Sequence, residues 1–465
     1  MKKRIVALST ALLFAAGLGA GWRATAASPA PDARTLAREA AVLAQEVQLL
    51  EDQHDLENLQ RIYGFYVDKH MWTQVADLFT EDGTLEIGGR GVFKGKARVA
   101  EYLHVLGSEG PQDGLLYDHT QMQPIVDVAP DGRTAKARWR AFIQVGQWHG
   151  QSRWGMGIYE NDYVKEDGVW KIDHLHAYFV MYTPYDKGWG VEAQPNTKPG
   201  DKLAPDAPPS VPHETYPTIF VPPFHYENPV TGQPVYQQTA ADFAVQPAAD
   251  VSLDDVSAML DTVEHQLGLE EDVTAIERLH SVYGYYLARN QWDDLANIFA
   301  DDGTIEIALR GRYVGHDSIR RNLNLYGDQG ISPGFLHHHM QYQGVIDVAD
   351  DGQTAKMRSR AFSMMGQYGQ YAQFMGGVYE NDYVKEDGIW KLKVDHVINS
   401  YFVTYDGGWT NAVPRAAPGI TESNPPDLPP SMHFEMFPKN FLVPFHYNNP
   451  VTGKPSVLPE QAGAR

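Results

Sequence analysis

A duplication constrains this chain more than any other feature. Shifted by 220 residues, the sequence matches itself without a gap from Leu59–Trp189 to Leu279–Trp409, with 55 identities in 131 positions. The block Tyr159–Gly168 recurs unchanged as Tyr379–Gly388, and a second match, shifted by 221, pairs Phe224–Gly232 with Phe445–Gly453. Solenoid repeats run at roughly 20–50 residues, so a period this long means two copies of a whole domain. The domains are expected over 32–245 and 252–460, each closed by a proline-dense tail, behind a leader over 1–26.

Composition excludes several classes. Hydrophobic residues make up 43% and charged residues 21%, a balance that supports folded domains. With no cysteine, the chain has no disulfides, thiolate metal sites or cysteine nucleophile. A formal charge of −21 argues against nucleic acid as a partner, because phosphates demand a basic face. The leader is read from Lys2, Lys3 and Arg4, the apolar run Ile5–Gly21, and the small-x-small site Ala24-Thr25-Ala26. An uncleaved anchor is the alternative, but the run barely reaches spanning length. Cleavage removes Lys2, Lys3, Arg4 and Arg23 and takes the charge from −21 to −25. The expectation is a soluble periplasmic or secreted protein, with no membrane contact after cleavage.

Each copy reads as helix first, then strands. An Ala/Leu/Glu/Gln-rich stretch over about Asp32–Met71 has helical spacing, with Leu36, Leu43 and Leu50 seven apart. Two heptad intervals are few for a coiled coil, so packing on the domain's own sheet is the expectation. Ser252–Asp255 has the form of a capping box. Asp82-Gly83 marks a turn before a strand at Thr84–Ile87, and a helix is expected over Lys96–Leu106. Strands follow at His119–Val128, Thr134–Gln147, Trp154–Lys165 and Val169–Tyr182, with Asp-Gly turns at 131–132 and 167–168. Helices followed by an antiparallel meander predict an α+β domain with helices on a curved sheet. The tails, about Gln194–Pro234 and Pro414–Pro459, both carry Phe-His-Tyr. Such aromatics predict tails that pack against their own domain.

The segment Tyr63-Gly-Phe-Tyr66-Val-Asp68-Lys-His-Met-Trp72, followed by Leu78-Phe79 and Asp82-Gly83-Thr84, resembles the SnoaL-like branch of the nuclear transport factor 2-like superfamily, close to its dehydratase-like members. The resemblance covers 59–182 and 279–402. It implies two tandem cone-shaped α+β barrels with mostly antiparallel sheets. It also implies a catalytic set of a tyrosine and an aspartate from the first helix and a histidine on a strand, here Tyr63, Asp68 and His119, working without cofactor or metal. A histidine–carboxylate pair can take a proton beside an activated carbon and return one to a leaving hydroxyl. A phenol can steady an oxygen that gains negative charge.

Alternation along the strand puts His119, Gln121 and Gln123 on one face, which suits a cavity wall. Trp72, Arg140 and His176 are candidates for substrate binding, as are Tyr283, His339, Arg360 and His396 in copy 2. His174 shares a face with His176 but has Val394 opposite it in copy 2. Ala288 stands where copy 1 has Asp68, and His337-His338-His339 forms a run. A metal site is the sharp reading of that run, yet neighbours on a strand point to opposite faces. Copy 1 thus holds the complete acid–base set, and copy 2 is a structural partner or a pocket with other chemistry. The functional expectation is an exported lyase (dehydratase or retro-aldol type) or isomerase acting on a small apolar, aromatic or polycyclic alcohol. The alternative is a non-catalytic binding or assembly protein built as an intramolecular pseudo-dimer, with further self-association left open.

Overall fold

A computed structural model describes residues 33–196, 198, 202–211, 213–218, 220–233, 252–411 and 423–458. The expected leader over 1–26, and the expected domain ends at 32, 245 and 460, lie outside the described residues. Domain 1 runs α1 (Ala33–Asp68), α2 (Trp72–Ala76), β1 (Phe79–Ile87), β2 (Val92–Lys94), α3 (Lys96–Leu106), β3 (Leu115–Val128), β4 (Thr134–Gln147), β5 (Ser152–Glu166) and β6 (Val169–Pro184). Domain 2 repeats it as α4 (Leu253–Leu287), α5 (Trp292–Ala296), β7 (Phe299–Ile307), β8 (Arg312–Val314), α6 (His316–Leu323), β9 (Phe335–Val348), β10 (Thr354–Gln367), β11 (Tyr371–Glu386) and β12 (Ile389–Thr404). The capping box at Ser252 and Asp255 is formed. Among the described residues no helix is long and apolar enough to cross a membrane.

Each sheet has six strands, in the order β2-β1-β6-β5-β4-β3 for domain 1. Only β1 and β6 pair in parallel, because the chain between them returns through the whole meander. Register shifts in β1, β3 and between β5 and β6 bend the sheet into a half-barrel around α1. One shift changes a sequence expectation. Gln123 sits in the β3 bulge with φ 54°, so its side chain leaves the face of His119 and accepts a hydrogen bond from Arg140 Nε at 3.1 Å.

The repeated Tyr159–Gly168 block is explained by what holds the helix to the sheet. Lys165 and the Trp170 indole both donate to the buried Asp52 in the middle of α1. Lys385 and Trp390 do the same to Asp272. Removing Asp52 would leave a half-buried cation and a buried N–H without this acceptor.

The N-terminal halves of the long helices do not pack on their own sheets. Leu36, Ala40, Leu43 and Val47 bury against Val256, Leu260, Val263 and Leu267, so α1 and α4 pair with each other. The heptad spacing of Leu36 and Leu43 marks this seam. Farther along, the sheets meet through Leu116, Phe362, Phe374, Tyr401 and Trp409.

The tails differ. The first packs on its own domain, where Ser210 bonds Glu86 and the Pro223 carbonyl accepts from Arg138. The second starts on domain 2, where Ser431 N–H donates to Glu306, then crosses to domain 1. There Ser456 bonds Tyr66 and Asn449 donates to Gln74, while Phe434, Val443 and Leu458 join the core of domain 1.

Candidate functional site

The concave face of the first sheet and the C-terminal half of α1 enclose a cavity of about 240 Å³. Tyr63 and Val67 come from α1, one helical turn apart. The helix ends at Asp68, and a turn with His70 at φ 50° folds Trp72 back over the cavity. The Trp72 indole donates to the Gly107 carbonyl at 2.9 Å, and its ring stacks on His70 at 4.5 Å. Strand alternation adds Tyr117 and His119 from β3, Ala141 and Ile143 from β4, and Ala177 from β6. Gln194, Pro195, Asn196 and Thr215 of the first tail complete the wall.

His119 is a buried imidazole at the cavity, beside the phenols Tyr117 and Tyr159. Its Nε2 shares a 2.9 Å hydrogen bond with the Tyr159 hydroxyl, and its Nδ1 is buried with no hydrogen-bond partner. Burial pulls its pKa down to about 3, with the Arg360 guanidinium adding to the effect. The imidazole is therefore neutral. Tyr63 stands edge-on to Tyr159 at 6.0 Å, and burial pushes both phenols above their ordinary values. Both are protonated hydrogen-bond donors at neutral pH.

Asp68, expected to pair with the His119 ring, does something else. Its Oδ1 accepts from the His119 backbone N–H at 2.6 Å, and its Oδ2 is ion-paired with Arg360 of domain 2. Arg360 also binds Asp118. Burial raises the Asp68 pKa to about 6, opposed by Arg360 and reinforced by Asp118. Asp68 is absent from the cavity wall because its carboxylate turns away, toward the domain interface.

Other expected residues are placed as follows. Tyr63, Trp72 and His119 meet at the cavity. Arg140 does not, because even-numbered positions of β4 face outward. Arg360 is the interface cation rather than a pocket residue. His176 lies on the outer face of β6 beside Glu86, with Nε2 and Oε1 3.5 Å apart, and His396 sits likewise by Glu306 at 3.8 Å. Tyr283 and His339 do line the counterpart pocket, but it measures only about 20 Å³. There His339 is bonded on both nitrogens, to Tyr379 at 2.7 Å and Ser363 at 2.6 Å, and Tyr283 donates to Asp395 at 2.9 Å. Met375 and Val397 occupy the places of Gly155 and Ala177 and fill the space.

Sequence reasoning passed over Arg90, Arg153, Tyr117 and Tyr182, all at the cavity. Arg90 donates to the Tyr102 hydroxyl and is matched by Arg310, so its recurrence in copy 2 was the available signal. Among the described residues, no cluster of metal-ligating side chains surrounds the cavity.

Comparison with known protein families agrees with this fold. The SnoaL-like domain model matches residues 48–176 and 270–394, together more than half of the chain. Similar solved structures include a putative scytalone dehydratase from Novosphingobium aromaticivorans, 25% identical, covering 32% of this chain and 98% of that one with a TM-score of 0.27. LinA is 21% identical over 31% of this chain and 95% of its own, with a TM-score of 0.28. A type 2 LinA hexachlorocyclohexane dehydrochlorinase is 22% identical over 33% and 99%, with a TM-score of 0.27. No curated protein matches the chain. With a curved six-stranded sheet, a capping helix and a matching domain model in each half, the chain belongs to the SnoaL-like family twice over.

Proposed function

We propose that domain 1 is a lyase that removes water from a small, largely apolar alcohol, with His119 moving the proton. The observation behind this reading is a neutral, buried imidazole bonded to a phenol in the wall of a cavity of about 240 Å³. With Nε2–H donating to Tyr159, Nδ1 keeps an unpartnered lone pair and is the atom assigned here to take a proton from carbon, the buried ring turning it toward the bound substrate. The C–H electron pair forms the new C=C bond as the C–O bond breaks, and the hydroxyl leaves as water with the proton that His119 returns. An imidazole of such low basicity is a weak acceptor, so the carbon must be acidified, as beside a carbonyl. Its protonated form is correspondingly a strong donor to the leaving hydroxyl. Tyr63 is positioned to donate to the oxygen that gains negative charge. Asp68 acts through the His119 backbone as a positioning residue, and domain 2 is a support rather than a second catalyst. The leader supports action after export.

The test is mass spectrometry of purified mature protein incubated with hydroxylated aromatic and terpenoid carbonyl compounds, beside a His119→Gln variant. Loss of water with the native chain and not with the variant is the expected result. Compounds that bind and return unchanged would replace the lyase reading with that of a binding protein, and loss of formaldehyde would make the step a retro-aldol cleavage.

A further inference from the structure

On the opposite face of the first sheet from the cavity lies a cluster of donors that the proposed chemistry does not use. Strands β1 and β6 run in parallel with Thr84 beside His174 and Glu86 beside His176. Positions 174 and 176 share a face, so both imidazoles and the Glu86 carboxylate project together. One ligand atom from each of Glu86, His174 and His176 can be chosen so that all lie within 4.8 Å of one another. Glu86 and His176 are buried, and His174 is half-buried.

The spacing suits a bound ion. Two donors each 2.0–2.1 Å from a tetrahedral metal stand about 3.4 Å apart. Glu86 Oε1 and His176 Nε2 are 3.5 Å apart, and His176 Nε2 is buried with no hydrogen-bond partner. Thr84 Oγ1 bonds His174 Nδ1 at 2.5 Å, which orients that ring and leaves Nε2 as its ligand atom. The first tail covers the cluster. Ser210 N–H and Oγ bond Glu86 at 2.8 and 2.6 Å, and His213, whose Nδ1 is buried without a partner, stands edge-on to Tyr178 at 5.1 Å.

Copy 2 is an internal control. It keeps Glu306 and His396 in the same register but has Val394 at the position of His174. Ser431 is retained under Glu306, yet Phe434 stands where the first tail has His213. A purely structural Glu–His pair therefore needs neither extra histidine.

We propose that Glu86, His174 and His176 bind one divalent transition-metal ion of the zinc class, beneath Ser210 of the first tail. Two imidazoles and one carboxylate suit zinc or cobalt and not calcium or magnesium, which favour all-oxygen sites. The same tail reaches the cavity through Thr215, and His213 is bonded by Asn196, another cavity residue. Metal would thus hold the Glu86 carboxylate on which Ser210 of the tail is bonded, without touching the reacting atoms. This holds whether or not His119 is a catalyst.

The experiment is titration of the metal-stripped, tag-free mature chain with Co²⁺, read by visible ligand-field absorption and equilibrium dialysis, then displacement with Zn²⁺. One Co²⁺ per chain with a low-symmetry visible spectrum is expected, and zinc should displace it. His174→Val, which borrows the residue of copy 2, should weaken binding by at least about 100-fold, beyond the 10–100-fold effect of outer partners. Glu86→Gln keeps acceptors for Ser210 and should do the same if the valine variant misfolds. Absence of stoichiometric binding would overturn the proposal. So would unchanged affinity in both variants, with binding lost instead in a His338→Gln variant.

Discussion

Replacing Arg360 by Met probes the most consequential contact between the domains. Arg360 is 5% exposed, and its guanidinium is, among the described residues, the cation in direct ion pairs with both Asp68 and Asp118, with the Lys69 ammonium farther off. Removing one partner of a buried ion pair costs about 3–5 kcal/mol, because the remaining charge stays buried without compensation. Two carboxylates are stranded here, so the upper half of that range is expected at pH 7. Asp68 already has its pKa raised by burial to about 6. An acid raised above its unfolded value contributes stability that is fully present below that value and is lost as pH rises through the folded one. Without Arg360 the folded value rises further, so protonation at pH 5 should return much of the lost stability. Urea unfolding read by tryptophan fluorescence, at pH 5 and pH 7, measures both terms. Asp68→Asn combined with Arg360→Met should cost less than the sum of the single changes. A loss under about 1 kcal/mol at pH 7, or equal losses at the two pH values, would refute the reasoning.

Two further outcomes follow from the unequal pockets. Gly155→Met puts into domain 1 the side chain that fills domain 2, and an added Cβ would lie 2.6 Å from the Tyr182 ring. Turnover or apolar-probe binding should fall at least tenfold while the fold persists, and unchanged activity would show that the cavity is not the site. In domain 2, burial raises the Asp395 pKa to about 7, despite donors from Tyr283 and Asn381. Its contribution is present below about 4 and lost as pH rises through 7, a linkage of about 4 kcal/mol. Asp395→Asn should therefore raise Tm at pH 9 by clearly more than at pH 5, where only about a third of the linkage has been lost. The same increment at both pH values would contradict that assignment.

What could be read from sequence was whatever depends on local pattern. The helix Lys96–Leu106 and the strand Thr134–Gln147 match expectation to the residue, because spacing and Asp-Gly turns are local signals. Faces were harder. Both sides of the sheet are covered, so apolar and polar residues alternate without saying which side is concave, and His176 and Arg140 were assigned inward when they face outward. Gln123 departs for another reason, since a bulge breaks the period of two on which the inference rested. The pairing of α1 with α4 was written in heptads but needed a partner 220 residues away.

Asp68 shows why the copies could diverge. Its replacement by Ala288 suggested lost chemistry, and the structure supplies a different cause. Asp68 and Asp118 exist together in domain 1 to meet Arg360 of domain 2, whereas domain 2 has Ala288 and His338 at those places. The equivalent arginine of domain 1, Arg140, donates instead to Gln123. A gene duplication begins with identical faces, and identical faces must use each residue twice. Here one half carries the acids and the other the buried base, so a single register of the two domains is favoured. The second tail, crossing to Tyr66 and Gln74, reinforces that register from the far side. Domain 2 thereby holds Asp68, Asp68 holds the His119 backbone, and a domain whose own pocket is filled sets the geometry of the one that is open.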